Sequence, residues 1–163
     1  MPPSPSSPPR RLPPRLTREG YERLQERSVD IRDRRLPDIR PLLVESERDE
    51  RVVADFERLM QEADAIDALL AEAQIIVIDP SQLGDGVVLG MRVHVTLENG
   101  LEEWVRPVHP DEAFLDEERI SATSPLAEAL MGAGAGDTVM VQAPTGAWPC
   151  RVLAIDLSGV ASE

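Results

Sequence analysis

The sequence of 163 residues predicts an α+β protein, with an antiparallel coiled-coil hairpin followed by a small domain of short strands and one short helix. Three observations lead to this prediction. A heptad pattern of apolar residues extends through residues 52–73, alternating apolar residues begin near residue 87, and the breaker-rich stretch PSQLGDG lies between the two patterns. Because aromatic residues amount to only 3% of the chain, the core must consist mostly of aliphatic side chains.

The first fifteen residues, MPPSPSSPPRRLPPR, consist mainly of Pro, Ser and Arg. They lack the apolar stretch of a secretory signal, which predicts a disordered tail over residues 1–15. The single cysteine, Cys150, excludes an internal disulfide framework and fits a reducing compartment. Since no apolar run reaches the roughly 18 residues that span a bilayer, we expect a cytoplasmic protein without a membrane partner.

The hairpin is predicted over residues 16–76. Its first arm begins at LTREGYERL, where Thr17 can cap a helix, although Gly20 in the first turn is unfavourable. Pro37 and Pro41 interrupt this arm, because proline lacks the amide donor and its ring crowds the carbonyl four residues earlier. We therefore expect a kink or a local break near residues 33–41.

The second arm carries the clearest apolar pattern. Its apolar residues are alternately four and three positions apart: Val52, Phe56, Leu59, Ala63, Ile66, Leu70 and Ala73. The polar stretch ESERDER joins the two arms and places the tip of the hairpin near residues 45–51. A projecting antiparallel hairpin is the preferred interpretation, and two helices folded into a compact bundle are the alternative.

A linker is predicted over residues 77–86, a second domain over residues 87–157 and a flexible C-terminus over residues 158–163. Four stretches indicate short strands, with turn signals at ENG and PTGAW: VVLGMRVHVTL, LEEWVRPV, TVMVQA and CRVLAI. The second domain is therefore expected to contain four or five strands.

One short helix is predicted among these strands, in the stretch TSPLAEALMG. Ser124 and Pro125 begin it, as a cap and a first helical residue, and Gly132 ends it. Leu126 and Leu130 are four residues apart, so they share a face that can hold the helix on the sheet.

The chain contains 30 acidic and 17 basic residues, which gives a formal net charge of −13. This balance argues against sequence-specific or phosphate-driven binding of DNA. A basic protein surface suits the chain better as a partner, or a site where acidic groups hold a metal.

No catalytic constellation stands out in the second domain. His94 and His109 have no serine or cysteine partner for a triad, and we interpret them as a strand residue and a loop residue. Cys150 is interpreted as a small packed hydrophobe. Four acidic residues lack metal-ligand spacing and are expected on the surface of a strand and a loop: Glu102, Glu103, Asp111 and Glu112.

Five stretches of the sequence, taken in their order along the chain, carry a family resemblance: LTREGYERL, AEAQII, VVLGMRVHV, HPDEA and ISATSPLAEALMGAGAGDTVMVQAPTGAWPCRVLAI. Their order and spacing resemble the bacterial Gre transcript-cleavage factors from residue 16 to about residue 156. The resemblance implies an FKBP-like second domain that docks on RNA polymerase at the rim of the secondary channel, with the hairpin inserted toward the active site. It also implies that Ser124, Pro125 and Leu126 contact the polymerase; the alternative is that Pro125 and Leu126 only close the core.

The tip departs from the pattern of that family. Gre factors that stimulate cleavage carry a tip motif G-D-L-S-E-N, whose Asp and Glu help to hold a second Mg²⁺ beside the metal of the polymerase. The matching region here reads LLVESERDERVVADFE, and each arm is shorter by about 4 to 5 residues, or roughly 7 Å at 1.5 Å per residue. Four acidic residues remain as candidates for contact with the active-site metal or a basic channel lining: Glu45, Glu47, Asp49 and Glu50. Arg48 and Arg51 are able to pair with the same carboxylates.

The leading hypothesis is a monomeric, non-enzymatic regulator of RNA polymerase that modulates elongation, pausing or initiation, similar to the inhibitory Gre-factor homologues. It has no cofactor of its own in this hypothesis. One alternative is a cleavage-stimulating elongation factor, in which Asp49 and Glu50 hold a second Mg²⁺ shared with the polymerase active site. The other is an interaction module like the short-armed Rnk relatives, in which the helices only brace the second domain.

Overall fold

A helical hairpin and a five-stranded sheet make up the computed structural model, which describes residues 11–45, 49–82, 84 and 86–160. The hairpin side contains β1 (Arg15–Leu16), α1 (Arg18–Asp30), a π-helical segment (Ile31–Arg35), α2 (Leu36–Glu45), α3 (Glu50–Glu72) and β2 (Gln74–Ile75). The sheet side contains β3 (Arg92–Thr96), β4 (Glu102–Val108), β5 (Arg119–Ser121), α4 (Pro125–Leu130), β6 (Thr138–Ala143) and β7 (Gly146–Asp156). Two 3-10 helices cover Pro80–Gln82 and Pro110–Glu112.

The two arms of the hairpin pack on each other along the predicted heptad seam. Leu59, Ala63 and Ile66 of α3 are buried against apolar residues of the first arm, among them Leu24 and Ile31. Every buried member of this apolar cluster belongs to residues 16–66 of the hairpin side. The two arms therefore share an apolar core formed by their own residues.

The prolines of the first arm do not break its helix. A π-helical segment occupies Ile31–Arg35, where the Leu36 amide donates to the Ile31 carbonyl five residues earlier. This wider turn lies directly before Pro37, whose ring would otherwise crowd a carbonyl of the preceding turn. The helix then continues through Pro41 to Glu45. The expected irregularity is thus a π-helical turn that begins two residues before the predicted range, and the expected local break is wrong.

The five strands of the main sheet lie in the order β5-β4-β3-β7-β6. The β3–β4, β3–β7 and β6–β7 pairs are antiparallel, and β4–β5 is parallel. The ENG signal forms the β3–β4 turn, in which the Asn99 side chain accepts a hydrogen bond from the Leu101 amide at 3.0 Å and Gly100 has a φ of +79°. Only a residue without a Cβ adopts that φ without strain.

One face of the sheet packs against α4. The buried cluster contains Val87, Val93, Val95, Val105, Leu130, Ala133, Val141, Cys150 and Val152. Leu126 is half-buried against this cluster, so both leucines of α4 face the sheet as predicted. Cys150 is fully buried, and burial raises the pKa of its thiol. This agrees with its interpretation as a packed hydrophobe.

The predicted domain bounds remain predictions. Some residues that they count in the tail, the linker or the C-terminus nevertheless make contacts within the fold. Arg15, counted in the tail, lies in β1, which pairs with β2 in parallel. Ile78, counted in the linker, is 6% exposed and donates its amide to the Val160 carbonyl at 2.7 Å. Val160 itself is buried beside Met91. The base of the hairpin is therefore attached to the sheet side by these contacts as well as by the polypeptide segment that connects them.

A further attachment is the buried carboxylate of Glu112. Its Oε2 accepts the Thr17 amide at 3.0 Å, and its Oε1 accepts both the Thr17 hydroxyl and the Arg119 Nε, the latter at 3.1 Å. Glu112 is 0% exposed, so its predicted position on a loop surface is wrong. Its burial depends on donors 95 residues away in the sequence, which spacing within the loop cannot reveal.

Arg119 extends this contact to further carboxylates. Its Nη2 lies 3.0 Å from Glu19 at the start of α1, and its Nη1 contacts Asp116. Burial alone would lower the pKa of Arg119, but hydrogen bonds to Glu19 and Glu112, together with the negative charges of Asp116 and Glu19, raise it. Arg23 of α1 also donates to the Leu115 carbonyl at 2.9 Å. The first turn of the hairpin is thereby held in one position on the loop before β5.

Replacement of Gly20 by Ala should destabilise the protein, because the added Cβ would overlap the Glu112 carboxylate. We expect a loss of about 3 kcal/mol in the free energy of unfolding, as for overpacking that displaces a buried charge from its partners. Chemical denaturation of G20A measures it. The matched control is Gly84→Ala, since a Cβ at Gly84 meets nothing within 4 Å. Equal stability of G20A and G84A would contradict the role of the close contact.

A second prediction concerns Asp67 of α3, which accepts the Ser28 hydroxyl at 2.5 Å and Arg32 Nη2 at 2.6 Å. These hydrogen bonds, that of Ser28 foremost, lower its pKa. A carboxyl with a lowered pKa stabilises the fold above its unfolded pKa of about 3.9 and loses that contribution as the pH falls through its folded pKa. Asp67→Asn should therefore reduce the thermal midpoint at pH 7 more than at pH 3. Asp55→Asn, at an exposed position of the same helix, should show a smaller difference between the two pH values.

Candidate functional site

The tip of the hairpin lies between the end of α2 and the start of α3. Glu45 is the last residue of α2, Asp49 is the N-cap of α3 and Glu50 is its first residue. All three are exposed. Glu47 and Arg48 lie outside the described residues. The structure thus brings three of the four predicted acidic residues to one end of the hairpin.

Asp49 has a defined structural role at this tip. Its Oδ1 accepts the Arg51 amide at 3.0 Å, and its carbonyl accepts the Val53 amide at 3.2 Å. A carboxylate in this position satisfies an orphan amide and meets the positive end of the helix dipole. In the described part of the tip, no ion pair joins Arg51 to these carboxylates. Glu45 and Glu50 therefore remain available to a partner, and Asp49 has one carboxylate oxygen outside the cap.

The predicted docking residues lie at the start of α4. Ser124 is the N-cap, and its Oγ accepts the Ala127 amide at 3.3 Å. Pro125 follows as the first helical residue and is exposed, whereas Leu126 is half-buried on the core. The cap and the proline fix the backbone of this corner. The exposed part of the predicted set is therefore Pro125 with the edge of Ser124.

The face of the sheet opposite α4 carries a ladder of side chains on β3 and β4. The rings of His94 and Trp104 stack at 4.7 Å between centroids, and Arg92 lies over Trp104 at 4.3 Å. Arg92 also pairs with Glu118 at 2.5 Å, which raises the pKa of Arg92 and lowers that of Glu118. The ring faces of His94 and Trp104 are thus in contact with each other, and Trp104 also contacts Arg92. His94 is a strand residue as predicted, and its contacts are structural.

The other predicted polar residues have local roles. The Nδ1 of His109 accepts the Asp111 amide at 3.1 Å and begins a 3-10 helix, in line with its interpretation as a loop residue. Across the ranges 11–45, 49–82, 84 and 86–160, no three Asp, Glu, His or Cys side chains come close enough to hold a metal ion. In the same part of the chain, no helix has both the length and the apolar character needed to cross a membrane.

Comparison with known proteins places the chain among relatives along most of its length. The family model described as "Transcription elongation factor, GreA/GreB, C-term" matches residues 82–157. The transcription elongation factor GreA of Thermotoga petrophila is 35% identical over 151 residues, which covers 86% of this chain and 96% of the relative. GreA of Brucella canis is 33% identical over 155 residues, with 86% and 95% covered.

Similar proteins also occur among solved structures. The crystal structure of GreA factor homolog 1 (Gfh1) of Thermus thermophilus is 31% identical, with 86% of this chain and 97% of that chain covered and a TM-score of 0.36. A TM-score of this size does not show a shared overall arrangement.

Two substitutions of Asp49 should distinguish the contribution of its capping hydrogen bond to stability from the contribution of its charge. Asp49→Ala removes the acceptor of the Arg51 amide, and we expect a loss of about 1 kcal/mol in the free energy of unfolding. Asp49→Asn keeps an acceptor oxygen and should cost only a few tenths of a kcal/mol. Urea unfolding followed by circular dichroism measures both variants. Equal losses in D49A and D49N would show that charge, and not the cap, is what Asp49 contributes to α3.

Proposed function

This chain belongs to the GreA/GreB family of transcription elongation factors, and we propose that it binds RNA polymerase and regulates transcription without being an enzyme itself. The sheet domain, for which the family resemblance predicts an FKBP-like fold, would dock at the rim of the secondary channel. The hairpin would then extend toward the active site. Occupation of that channel by an acidic tip would modulate elongation, pausing or initiation.

The observation that carries this proposal is the fixed attachment of a long hairpin to the sheet domain. Glu112 and Arg119 hold the first turn of α1, and the helical arm then continues from Arg18 to Glu45. At 1.5 Å per residue, this arm extends about 40 Å from the attachment. A protein that docks by one end and acts at the other needs such a connection, since a freely hinged arm would lose orientational entropy on each insertion.

Docking is assigned to the corner at Ser124 and Pro125. The corner is exposed, and its backbone conformation is set by a cap and a proline, so little entropy is lost when a partner covers it. Leu126 supports the same corner from the core side. The assignment of all three residues to polymerase contact comes from the family resemblance and remains a proposal.

The chemistry of the tip favours regulation over cleavage stimulation. Mg²⁺ in such a role needs one or two carboxylates aimed at it. Asp49 and Glu50 begin α3, where the positive end of the helix dipole favours anions and disfavours a nearby cation, and one oxygen of Asp49 is held by the Arg51 amide. These two residues fit a helix start better than a metal site.

A nucleotide-incorporation assay tests the proposal. Purified bacterial RNA polymerase with a stalled, 5′-end-labelled transcript is supplied with nucleotides at increasing concentrations of the protein. We expect the rate of RNA extension to change in a saturable manner, without shortened transcripts. Shortened transcripts that appear only with the protein would establish cleavage stimulation instead. An unchanged rate together with failure to bind the polymerase would support the interaction-module alternative.

The docking assignment is tested in the same assay with Pro125→Gln. The larger side chain remains compatible with the first position of a helix but changes the surface of the corner. We expect the half-saturating concentration to rise about tenfold, as for an interface residue near the centre of a contact. The matched control is Pro80→Gln, because Pro80 is also exposed and also begins a short helix. Equal behaviour of P125Q and P80Q would contradict docking at this corner.

A further inference from the structure

Two exposed valines stand at the tip of the hairpin, one on each arm. Val44, the residue before the end of α2, is 82% exposed, and Val53, the fourth residue of α3, is 42% exposed. Deeper in the hairpin, Leu59 and Ala63 are buried in the seam. Apolar side chains are thus presented to solvent where the two helices meet the turn.

The heptad seam explains why these valines face outward. Val52 begins the heptad pattern of α3, Leu43 and Val52 are each half-buried, and the exposed Val44 and Val53 follow them directly. Successive helical residues are separated by about 100°, so both valines turn away from the opposite arm. Valine is also a weaker helix former than glutamate or arginine. Neither burial nor helix stability accounts for valine at these two positions.

Carboxylates lie beside both valines. Glu45 follows Val44, and Asp49 and Glu50 lie four and three residues before Val53, on its side of α3. From these positions we infer that Val44 and Val53 form an apolar contact site on the tip, which fits an apolar protein surface with a rim of cationic side chains. The acidic rim repels nucleic-acid phosphates and anionic lipid headgroups, so a protein surface is the occupant that matches both features.

This inference rests on the proposed function, because the surface in question would lie inside the polymerase, where the tip arrives. It deepens that proposal by assigning the tip a contact that does not depend on a metal. The apolar pair would supply affinity at the end of the arm, and the carboxylates would supply orientation toward the cationic rim. A tip held in this way would occupy the channel without chemistry of its own.

The test compares Val44→Ser, Val53→Ser and the double variant with Val29→Ser in the incorporation assay. Val29 is a matched control, because it is a helical valine that is 52% exposed and has Glu26 and Asp30 nearby on α1. We expect the half-saturating concentration to rise about tenfold for the double variant. The V29S value should stay within about twofold of the unsubstituted protein. Circular dichroism confirms that each variant keeps its helix content.

The outcomes separate this inference from the proposal beneath it. If the half-saturating concentration of the tip variants rises equally at low and high Mg²⁺ concentration, the result supports an apolar contact. If the rise in half-saturating concentration disappears when the Mg²⁺ concentration is lowered, the tip acts through a metal ion and the inference is overturned. If the unsubstituted protein changes the extension rate but V44S, V53S and V29S behave alike, the apolar site is wrong while the proposed function holds. If the unsubstituted protein neither binds the polymerase nor affects it, both are wrong.

Discussion

A carboxylate buried at the N-terminus of a helix is the interaction on which the rest of this structure depends. Glu112 comes from the loop before β5, yet it accepts the amide and the hydroxyl of Thr17, the cap of α1. The helix dipole and the Arg119 guanidinium both favour its negative charge. Without a side chain at Gly20, the carboxylate can approach the first turn of the helix. Four residues, Thr17, Gly20, Glu112 and Arg119, thereby set the direction in which the hairpin begins.

Helix ends also determine what the acidic tip can do. Glu45 ends one helix while Asp49 and Glu50 begin the next, so carboxylates that are close in sequence meet opposite ends of helix dipoles. At the start of α3 the charge is used to stabilise the helix. A second function for the same groups then has to compete with that stabilisation, which is why an acidic tip is not by itself a metal site. The apolar residues beside these carboxylates carry no such competing role.

Patterns with a short period were predicted well from the sequence. The heptad of α3, the alternation of β3, the ENG turn and the Ser-Pro start of α4 all occur where expected, because each depends on neighbours within a few residues. The π-helical segment before Pro37 was missed, since its wider turn is an accommodation of the helix and not a preference of the residues Ile31–Arg35. The surface position expected for Glu112 was wrong because its partners are distant in sequence. Gly20, unfavourable in a first helical turn, was the one local signal of that contact.

By itself, the sequence determined the two kinds of structure, the order of their elements, the acidic tip and the resemblance to a transcription-factor family. Periodicity, turn chemistry and composition are local properties, and the chain carries them in any arrangement. Only the tertiary structure decided that Glu112 joins the hairpin to the sheet domain and that Val44 and Val53 stay exposed at the tip. Burial and charge pairing arise between distant parts of the chain, and residues 95 positions apart acquire a shared role only when folding places them in contact.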